Sequence, residues 1–418
     1  MTAIENDPFS NLVKTKQRKK IISDFVFTIG AAVLMNCVLQ LIVYPIITKY
    51  YGESTTGDIL YFIGIIYIVP QAIGSSIGNQ RLIIRRDVEV TNGNYEKILM
   101  LGCSFSSIIC FIISLISAQS IIFSICYGMF SVIYMLRIYS QVEFRLSLNF
   151  SKFFIFSAVC SIGYLIGLGI YFLFRQWIVI FLCGELAALI YVGNIGSIFK
   201  RQHININTPK ILWYVLLVLL TTFIRDGVNQ FDRVIIRQLI GAEVVTRYNA
   251  ISLIAKTLQL LVSPITTIIY SYLTLKDSML LKSTYNKILA ASVSLGGLFY
   301  LGTIIGTPIF VKMFYFDFYE YVQEYNLIVN LGLIIGFVAS MLMAVLLSRG
   351  KIKENTILQT VWGVSYTISA YCFTISYGLW GLVAVTLVAN VLKLVSVILV
   401  SYGTLFKDER KVEVSINA

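Results

Sequence analysis

One apolar stretch of the sequence, TTFIRDGVNQFDRVIIR (221–237), carries ionisable residues at helical spacing. At 3.6 residues per turn, Arg225, Asn229 and Asp232 share one stripe of a helix. A charged side chain at the centre of a bilayer costs about 2.5–3.5 kcal/mol on insertion scales, so it normally faces a partner or a water-filled cavity. One broad face of this helix is therefore predicted to be polar. The adjoining stripe of that face contains Asp226, Gln230, Arg233 and Arg237.

Other apolar segments carry polar residues at similar positions. Lys256 and Lys393 are basic, and neither has an acidic neighbour on its own predicted helix. Both lysines are therefore candidates for contact with something other than a local carboxylate. The further candidates are the amides Asn36, Gln40, Gln259 and Asn390 and the acids Asp24 and Glu185.

These residues admit two interpretations. In the first, Asp226 and Asp232 neutralise the arginines as buried structural pairs. In the second, the basic residues bind substrate, because they outnumber the two aspartates, although Glu185 could supply one more partner. Arg and Lys bind phosphate oxygens strongly, so surplus positive charge favours an anionic substrate such as a pyrophosphate. The predicted substrate-binding set is Arg225, Arg233, Lys256, Lys393, Asn229, Gln259, Asn390, Asn36 and Gln40, and the predicted charge-pairing set is Asp226, Asp232, Glu185 and Asp24.

The composition indicates what positions these residues. Of the 418 residues, 57% are hydrophobic and 13% are charged, whereas soluble domains average about 45–50% and about 25%. The mean hydropathy is +0.81. An all-α polytopic membrane protein is predicted, which excludes a soluble enzyme and a nucleic-acid-binding protein. The net charge of +12 then requires a membrane explanation.

Apolar runs long enough to span a bilayer, which takes about 20 residues each, number twelve. Basic residues concentrate in alternate loops between them, and cytoplasmic loops retain Lys and Arg. Both termini are therefore predicted to be cytoplasmic. The predicted spans are 21–48, 59–80, 98–118, 121–138, 153–174, 177–199, 211–236, 248–273, 288–311, 327–347, 357–376 and 379–402.

The chain divides into two similar halves. The longest polar interruption, KRQHININTPK (200–210), separates six spans from six. The first span ends IITKYYG and the seventh ends IIRQLIG, and their glycines, Gly52 and Gly241, are 189 residues apart. An offset of six spans keeps the halves parallel, related by an axis along the membrane normal. The predicted organisation is a basic N-terminus (1–20), a six-helix bundle (21–199), a linker (200–210), a second six-helix bundle (211–402) and a tail (403–418).

Metal, disulfide and nucleotide chemistry is not predicted. The seven cysteines fall in apolar segments without CxxC spacing, and there is one histidine, His203. The sequence contains no GxxxxGK[ST] motif for nucleotide hydrolysis. No cofactor is therefore expected.

Two segments carry a family resemblance. The predicted first outer hairpin, IITKYYGESTTGDILYF (46–62), resembles the opening motif of polysaccharide transporters in the multidrug/oligosaccharidyl-lipid/polysaccharide exporter superfamily. FDRVIIRQLIGAEVVTRYNA (231–250) is similar to its second-half counterpart. O-antigen (O-unit) flippases are the most similar members, and lipid II flippases usually have fourteen spans rather than twelve.

The resemblance implies a non-enzymatic flippase in the bacterial cytoplasmic membrane. Two bundles around a central cavity would alternate in access and carry an undecaprenyl-pyrophosphate-linked oligosaccharide for lipopolysaccharide or related polysaccharide synthesis. It also implies a polysaccharide polymerase and a chain-length regulator as partners. Asp226 and Asp232 would hold the arginines or take up a coupling cation, H⁺ or Na⁺, a role also open to Glu185 and Asp24.

Three alternatives lie in other classes. An ion-coupled drug exporter of the same superfamily would need surplus intramembrane carboxylates. A twelve-span facilitator-type porter would carry a Gly/Asp/Arg-rich loop after span two, and RLIIRRDVEVTNGNYEK (81–97) does not match it. A non-transporting subunit of a polysaccharide assembly complex would tolerate loss of the intramembrane charges.

Overall fold

The computed structural model describes residues 23–24, 26–84, 91–200, 202, 208–274 and 282–405. The predicted N-terminal segment 1–20 and the tail beyond Leu405 lie outside these residues. In the described part of the chain the regular structure is all helical, with one π-helical segment at Val38–Val43 and one 3₁₀ turn at Phe316–Phe318. The all-α prediction is confirmed.

Helical residues 26–37 lead into the π-helical segment, and twelve further α-helices follow along the described chain. In the first half they are α1 (Tyr44–Ile66), α2 (Val69–Ile84), α3 (Asn92–Ile116), α4 (Ile121–Ser140), α5 (Val142–Leu146), α6 (Phe150–Phe174) and α7 (Ile178–Ile195). In the second half they are α8 (Thr208–Leu239), α9 (Ala242–Thr274), α10 (Lys282–Phe314), α11 (Tyr319–Ser348) and α12 (Ile352–Leu405). These helices do not correspond one to one with membrane crossings, because α5 is too short to cross a membrane and α1 and α12 are each broken at a glycine.

Nine helical stretches in the described chain are long and apolar enough to cross a membrane. Two of them, Val26–Leu82 and Lys353–Leu405, are 57 and 53 residues long, whereas one crossing takes about 20. Each contains a glycine with positive φ, Gly52 (φ 87°) in α1 and Gly378 (φ 59°) in α12. This left-handed region is accessible to glycine at little cost.

The chain reverses direction at both glycines. The Thr48 and Thr56 hydroxyl oxygens are 2.9 Å apart, although eight residues of straight helix would separate them by about 12 Å. A Cβ at Gly381 would overlap the carbonyl oxygen of Phe373, eight residues earlier. Each long stretch is therefore a helical hairpin.

Contacts group the chain into two compact units. The first unit comprises 1–43 and 66–223, and the second comprises 44–65 and 224–418. The hairpin at Gly52 thus packs with second-half helices rather than with most of its own half. The boundary predicted at 200–210 stays a prediction.

Glycines allow close helix packing in the first unit. A Cβ placed on Gly163 of α6 would lie 2.6 Å from the Cα of Gly184 in α7, a distance that no real Cβ tolerates. Small residues at such crossings let helix backbones approach closely. α6 and α7 are therefore held in one register, which fixes the side chains between them.

The core of the second unit lies around α11, which packs against α9, α10 and α12. A buried apolar cluster joins α9 to α11. α10 instead exposes Leu298, Leu301, Ile305 and Ile309 at helical spacing, as a lipid-facing helix does. The cluster residues are Ala255, Val262, Ile334, Phe337 and Met341.

Candidate substrate site

The polar site of the second unit is built on the α8–α9 hairpin. The chain turns at Gly241, whose φ is 147°, so the end of α8 and the start of α9 run antiparallel. This places Asp232 and Arg233 of α8 opposite Asn249 and Lys256 of α9. Residues separated by 16 and 24 positions in the sequence therefore meet.

Lys256 is paired with a carboxylate. Its Nζ donates to Asp232 Oδ2 at 2.5 Å, and the two side chains are 22% and 8% exposed. The other oxygen, Asp232 Oδ1, accepts from the Arg233 backbone N–H at 2.8 Å. Asp232 is thus charge-paired, but with Lys256 rather than with an arginine, and each of its two oxygens already accepts a hydrogen bond.

Arg233 is buried without a counterion. The residue is 5% exposed, and Nη2 donates to Asn249 Oδ1 at 2.9 Å. Nε and Nη1 are buried and have no hydrogen-bond partner in the described part of the chain. No described carboxylate lies within 4.0 Å of this guanidinium, in contrast to Lys256. A buried, unpaired charge is costly, so Arg233 is suited to bind an anion.

Gly64 of α1 lies against the aliphatic part of this side chain. A Cβ on Gly64 would lie 3.5 Å from Arg233 Cδ, in ordinary contact. The hairpin at Gly52 thus forms one wall beside the arginine within the second unit. The aliphatic part of the side chain is packed, while two of its three nitrogens remain unbonded.

Lys393 of α12 lies over an aromatic ring. Its Nζ is 4.0 Å from the centre of the Trp362 ring, a favourable cation–π distance. Trp362 stacks on Tyr366 at 5.6 Å between centroids, and the Tyr366 and Thr386 hydroxyl oxygens are 3.4 Å apart. Sequence reasoning selected Lys393 but not these aromatic residues, since aromatic side chains are common in apolar helices.

The remaining second-unit candidates are placed differently. Arg225 Nε donates to Asp226 Oδ1 at 2.9 Å, and the arginine side chain is 58% exposed while Asp226 is largely buried. Asn229 and Gln259 are exposed. Asn390 is buried against α11, where its Oδ1 would lie 2.7 Å from a Cβ on Gly336.

The first-unit candidates lie in different segments of the chain. Asp24, Asn36 and Gln40 are half-buried near the start of the described chain. Glu185 of α7 is fully buried; it accepts hydrogen bonds from Arg137 of α4 and from the Tyr164 hydroxyl of α6, the latter at 2.6 Å. The carboxylate of Glu185 is thus occupied within the first unit, and it does not reduce the surplus of cations in the second.

Arg137 is an ion-pair residue that is absent from the predicted site. It lies at the end of the predicted span 121–138, and in the structure it is 3% exposed inside α4, with its guanidinium 4.8 Å from the centre of the Tyr134 ring. α4 continues to Ser140 and α5 follows almost directly. The tyrosine three residues earlier is the one sequence feature that could have indicated a buried cation.

Two ion pairs join the hairpin at Gly52 to the α8–α9 hairpin. Asp58 accepts from Arg237 Nε at 2.5 Å. Glu53 accepts from Arg247 Nε at 2.6 Å, and Arg247 also lies over the ring of Tyr321. These ion pairs link the two turns within the second unit. We call their four residues the hairpin latch: Glu53, Asp58, Arg237 and Arg247.

Two contacts beside the hairpin latch are related by the same 189-residue offset as Gly52 and Gly241. Thr246 donates to the Glu53 carbonyl oxygen at 2.8 Å, and a Cβ on Gly57 would overlap the Ala242 carbonyl oxygen. Adding 189 to 53 and 57 gives 242 and 246, so each contact is the image of the other. Reciprocal contacts of this kind arise at an approximate two-fold axis, which supports an internal duplication.

Comparison with known proteins locates the fold. No protein-family model and no curated protein matches the chain. A lipid II flippase MurJ structure in an inward closed conformation matches with a TM-score of 0.65 and 15% identity, over 91% of this chain and 86% of that one. The chain has the fold of this transporter. An outward-facing multidrug resistance MATE family transporter of the MOP superfamily matches with a TM-score of 0.62 and 14% identity, over 94% and 96% of the two chains.

An inward-facing MATE family structure matches with a TM-score of 0.61 and 12% identity, over 90% of this chain and 94% of that one. At these identities the likeness concerns the fold. The chain thus shares its fold with these transporters, while the twelve spans, the two six-helix bundles and the O-antigen branch remain predictions.

Proposed function

We propose that this chain is a flippase that carries an undecaprenyl-pyrophosphate-linked oligosaccharide, an O-antigen or related repeat unit, across the bacterial cytoplasmic membrane. The observation that carries the proposal is Arg233, a buried guanidinium with two unbonded nitrogens and no carboxylate within 4.0 Å among the described residues. Arginine binds phosphate oxygens through directed, charge-assisted hydrogen bonds. A pyrophosphate headgroup supplies the missing charge.

The fold supports a lipid-linked substrate. The similar MurJ structure is that of a lipid II flippase. Fold does not fix function, so the argument for this chain depends on its own cations. Lys256 bonds Asp232, the chain neighbour of Arg233, so a polyanion bound at Arg233 would also attract this lysine.

Twelve crossings are part of the proposal. Nine stretches of the described residues are long and apolar enough to span a membrane, and the hairpins at Gly52 and Gly378 each divide one of them into two. Together with α9 this makes twelve, with both termini in the cytoplasm. Opening of the hairpin latch in alternation with the inner side would expose the substrate site outward.

A drug exporter is the second candidate, favoured by one observation. Asp226 has a buried carboxylate oxygen, Oδ2, without a partner in the described chain. The similar MATE structures belong to multidrug resistance transporters, and a carboxylate oxygen without a partner suits a cationic drug. Lys256 already occupies Asp232, which leaves Asp226 as the acid that could serve this role.

Reconstitution into proteoliposomes distinguishes the two functions. A short-chain polyprenyl-pyrophosphate sugar with a fluorophore on the sugar reports inward movement as protection from dithionite added outside. The proposal predicts protection at a rate well above that of protein-free vesicles, with no uptake of ethidium. Ethidium transport without protection of the lipid-linked sugar would favour the drug exporter and refute the flippase.

A further inference from the structure

Lys393 of α12 has surroundings of its own. No described carboxylate lies within 4.0 Å of its ammonium, which instead contacts the Trp362 ring at 4.0 Å. Arg233 of α8 bonds Asn249 of α9, whereas Lys393 is half-buried beside a residue of its own helix. A ligand group bound by Arg233 therefore leaves open what balances the charge of Lys393.

The indole N–H of Trp362 is a second polar group near this ammonium. Its Nε1 is buried and has no hydrogen-bond partner among the described residues. An indole N–H is a donor only, and leaving a buried donor unpaired costs about 1–3 kcal/mol. Stacking on Tyr366, with centroids 5.6 Å apart and planes at 11°, orients the ring. The N–H is therefore a donor with a fixed direction, and a bound ligand could supply its acceptor.

The charge of this position selects the kind of acceptor. One ammonium and one neutral N–H suit a monoanion with two oxygens, such as a carboxylate. A phosphate monoester carries about −1.5 to −2 charges at neutral pH and would remain partly uncompensated. The class of ligand that offers a carboxylate beside a lipid-linked pyrophosphate is an acidic sugar of the carried oligosaccharide.

We propose that Lys393 and Trp362 form a subsite for the carboxylate of a uronic acid residue in the substrate. This inference rests on the proposed function and adds to it a charge on the oligosaccharide. In the bound substrate, one carboxylate oxygen accepts from Lys393 Nζ and the other from Trp362 Nε1. The pyrophosphate stays with Arg233.

Thermal stabilisation of the purified full-length protein tests the subsite. A ligand that binds the folded state raises the melting temperature by an amount that follows its concentration over Kd. At matched ionic strength, sodium glucuronate should stabilise the wild-type protein saturably and glucose should not. Lys393→Gln should weaken the glucuronate effect at least tenfold in concentration, while Lys312→Gln, at an exposed lysine, should leave it unchanged.

Inorganic pyrophosphate separates this test from that of the proposed function. Its stabilising effect should survive Lys393→Gln and be lost in Arg233→Gln. An equal glucuronate response in wild-type and Lys393→Gln protein would overturn the subsite, and so would stronger stabilisation by glucose 6-phosphate. A missing pyrophosphate response would count against the proposed function instead.

A spectroscopic measurement covers the case in which substitutions at this position do not fold. With ¹⁵N-indole-labelled tryptophan, glucuronate should shift the Trp362 N–H resonance of the wild-type protein, and glucose should not. A Trp362 resonance that does not move at saturating glucuronate would refute the proposal. The resonance is assigned by elimination with phenylalanine variants of Trp177, Trp213 and Trp380.

Discussion

Substitutions in the Asp232–Lys256 pair distinguish a structural role of Lys256 from a substrate-binding role. Its N–O distance is 2.5 Å, and both partners are mostly buried. Removing one member of a buried ion pair typically costs about 3–5 kcal/mol, because the other charge is left uncompensated. Asp232 keeps a hydrogen bond from the Arg233 amide, so Lys256→Met should lie near the lower end, about 3 kcal/mol.

The double variant Asp232→Asn/Lys256→Met removes both charges together. Contacting residues couple strongly in such cycles, and the double variant should regain all but about 1 kcal/mol of the wild-type stability. The free energy of unfolding in mixed dodecyl maltoside–SDS micelles measures this. Because we propose that Lys256 also attracts the substrate anion, flipping in proteoliposomes should stay below a tenth of the wild-type rate.

The contradicting results differ for the two parts of this prediction. A double variant as unstable as either single variant would show that the pair does not compensate its own burial. Recovery of both stability and wild-type flipping would restrict Lys256 to a structural role, and the proposed site would lose one of its cations.

Three further substitutions test other parts of the structure. Arg137→Met should destabilise the protein by about 3–5 kcal/mol because it leaves Glu185 buried without its counterion; a change in melting temperature no larger than that of Arg175→Asn, at an exposed position, would contradict this. The exchange Glu53→Arg/Arg247→Glu should restore flipping that each single change lowers, and equal loss in all three variants would mean that the pair does not close the hairpin latch. Gly57→Val should cost about 1–3 kcal/mol of overpacking against the neighbouring carbonyl oxygen, and unaltered thermal stability would refute that close contact.

The helical fold could be predicted from composition, and the similarity of the hairpins at Gly52 and Gly241 could be predicted from two short motifs. The apolar runs predict helices because a bilayer requires every backbone group to be bonded within the segment. Gly52 and Gly241 were equated from IITKYYG and IIRQLIG, and the structure gives both a positive φ. The reciprocal contacts around Glu53 and Ala242 were not predictable, because hairpin-to-hairpin packing leaves no trace in local sequence.

For the candidate site, the sequence indicates a polar helix face but not the pairing of its charges. Helical spacing groups Asp232 and Arg233 on one face of α8, and in the structure both are buried and bonded to α9. Which cation meets which carboxylate depends on how helices distant in the sequence align, so spacing along one helix could not show that Asp232 belongs to Lys256 rather than to an arginine. Glu185 illustrates the same limit, since its partner Arg137 lies 48 residues away.

The most direct test of the central claim is the affinity of the purified protein for undecaprenyl pyrophosphate, compared between wild type and Arg233→Gln. Loss of charge-assisted hydrogen bonds worth about 1.5–3 kcal/mol should weaken binding by roughly 10-fold to 150-fold. Arg175→Asn should bind as the wild type does. Equal affinity in Arg233→Gln and wild type would contradict the assignment of this buried arginine as the anchor of the substrate anion.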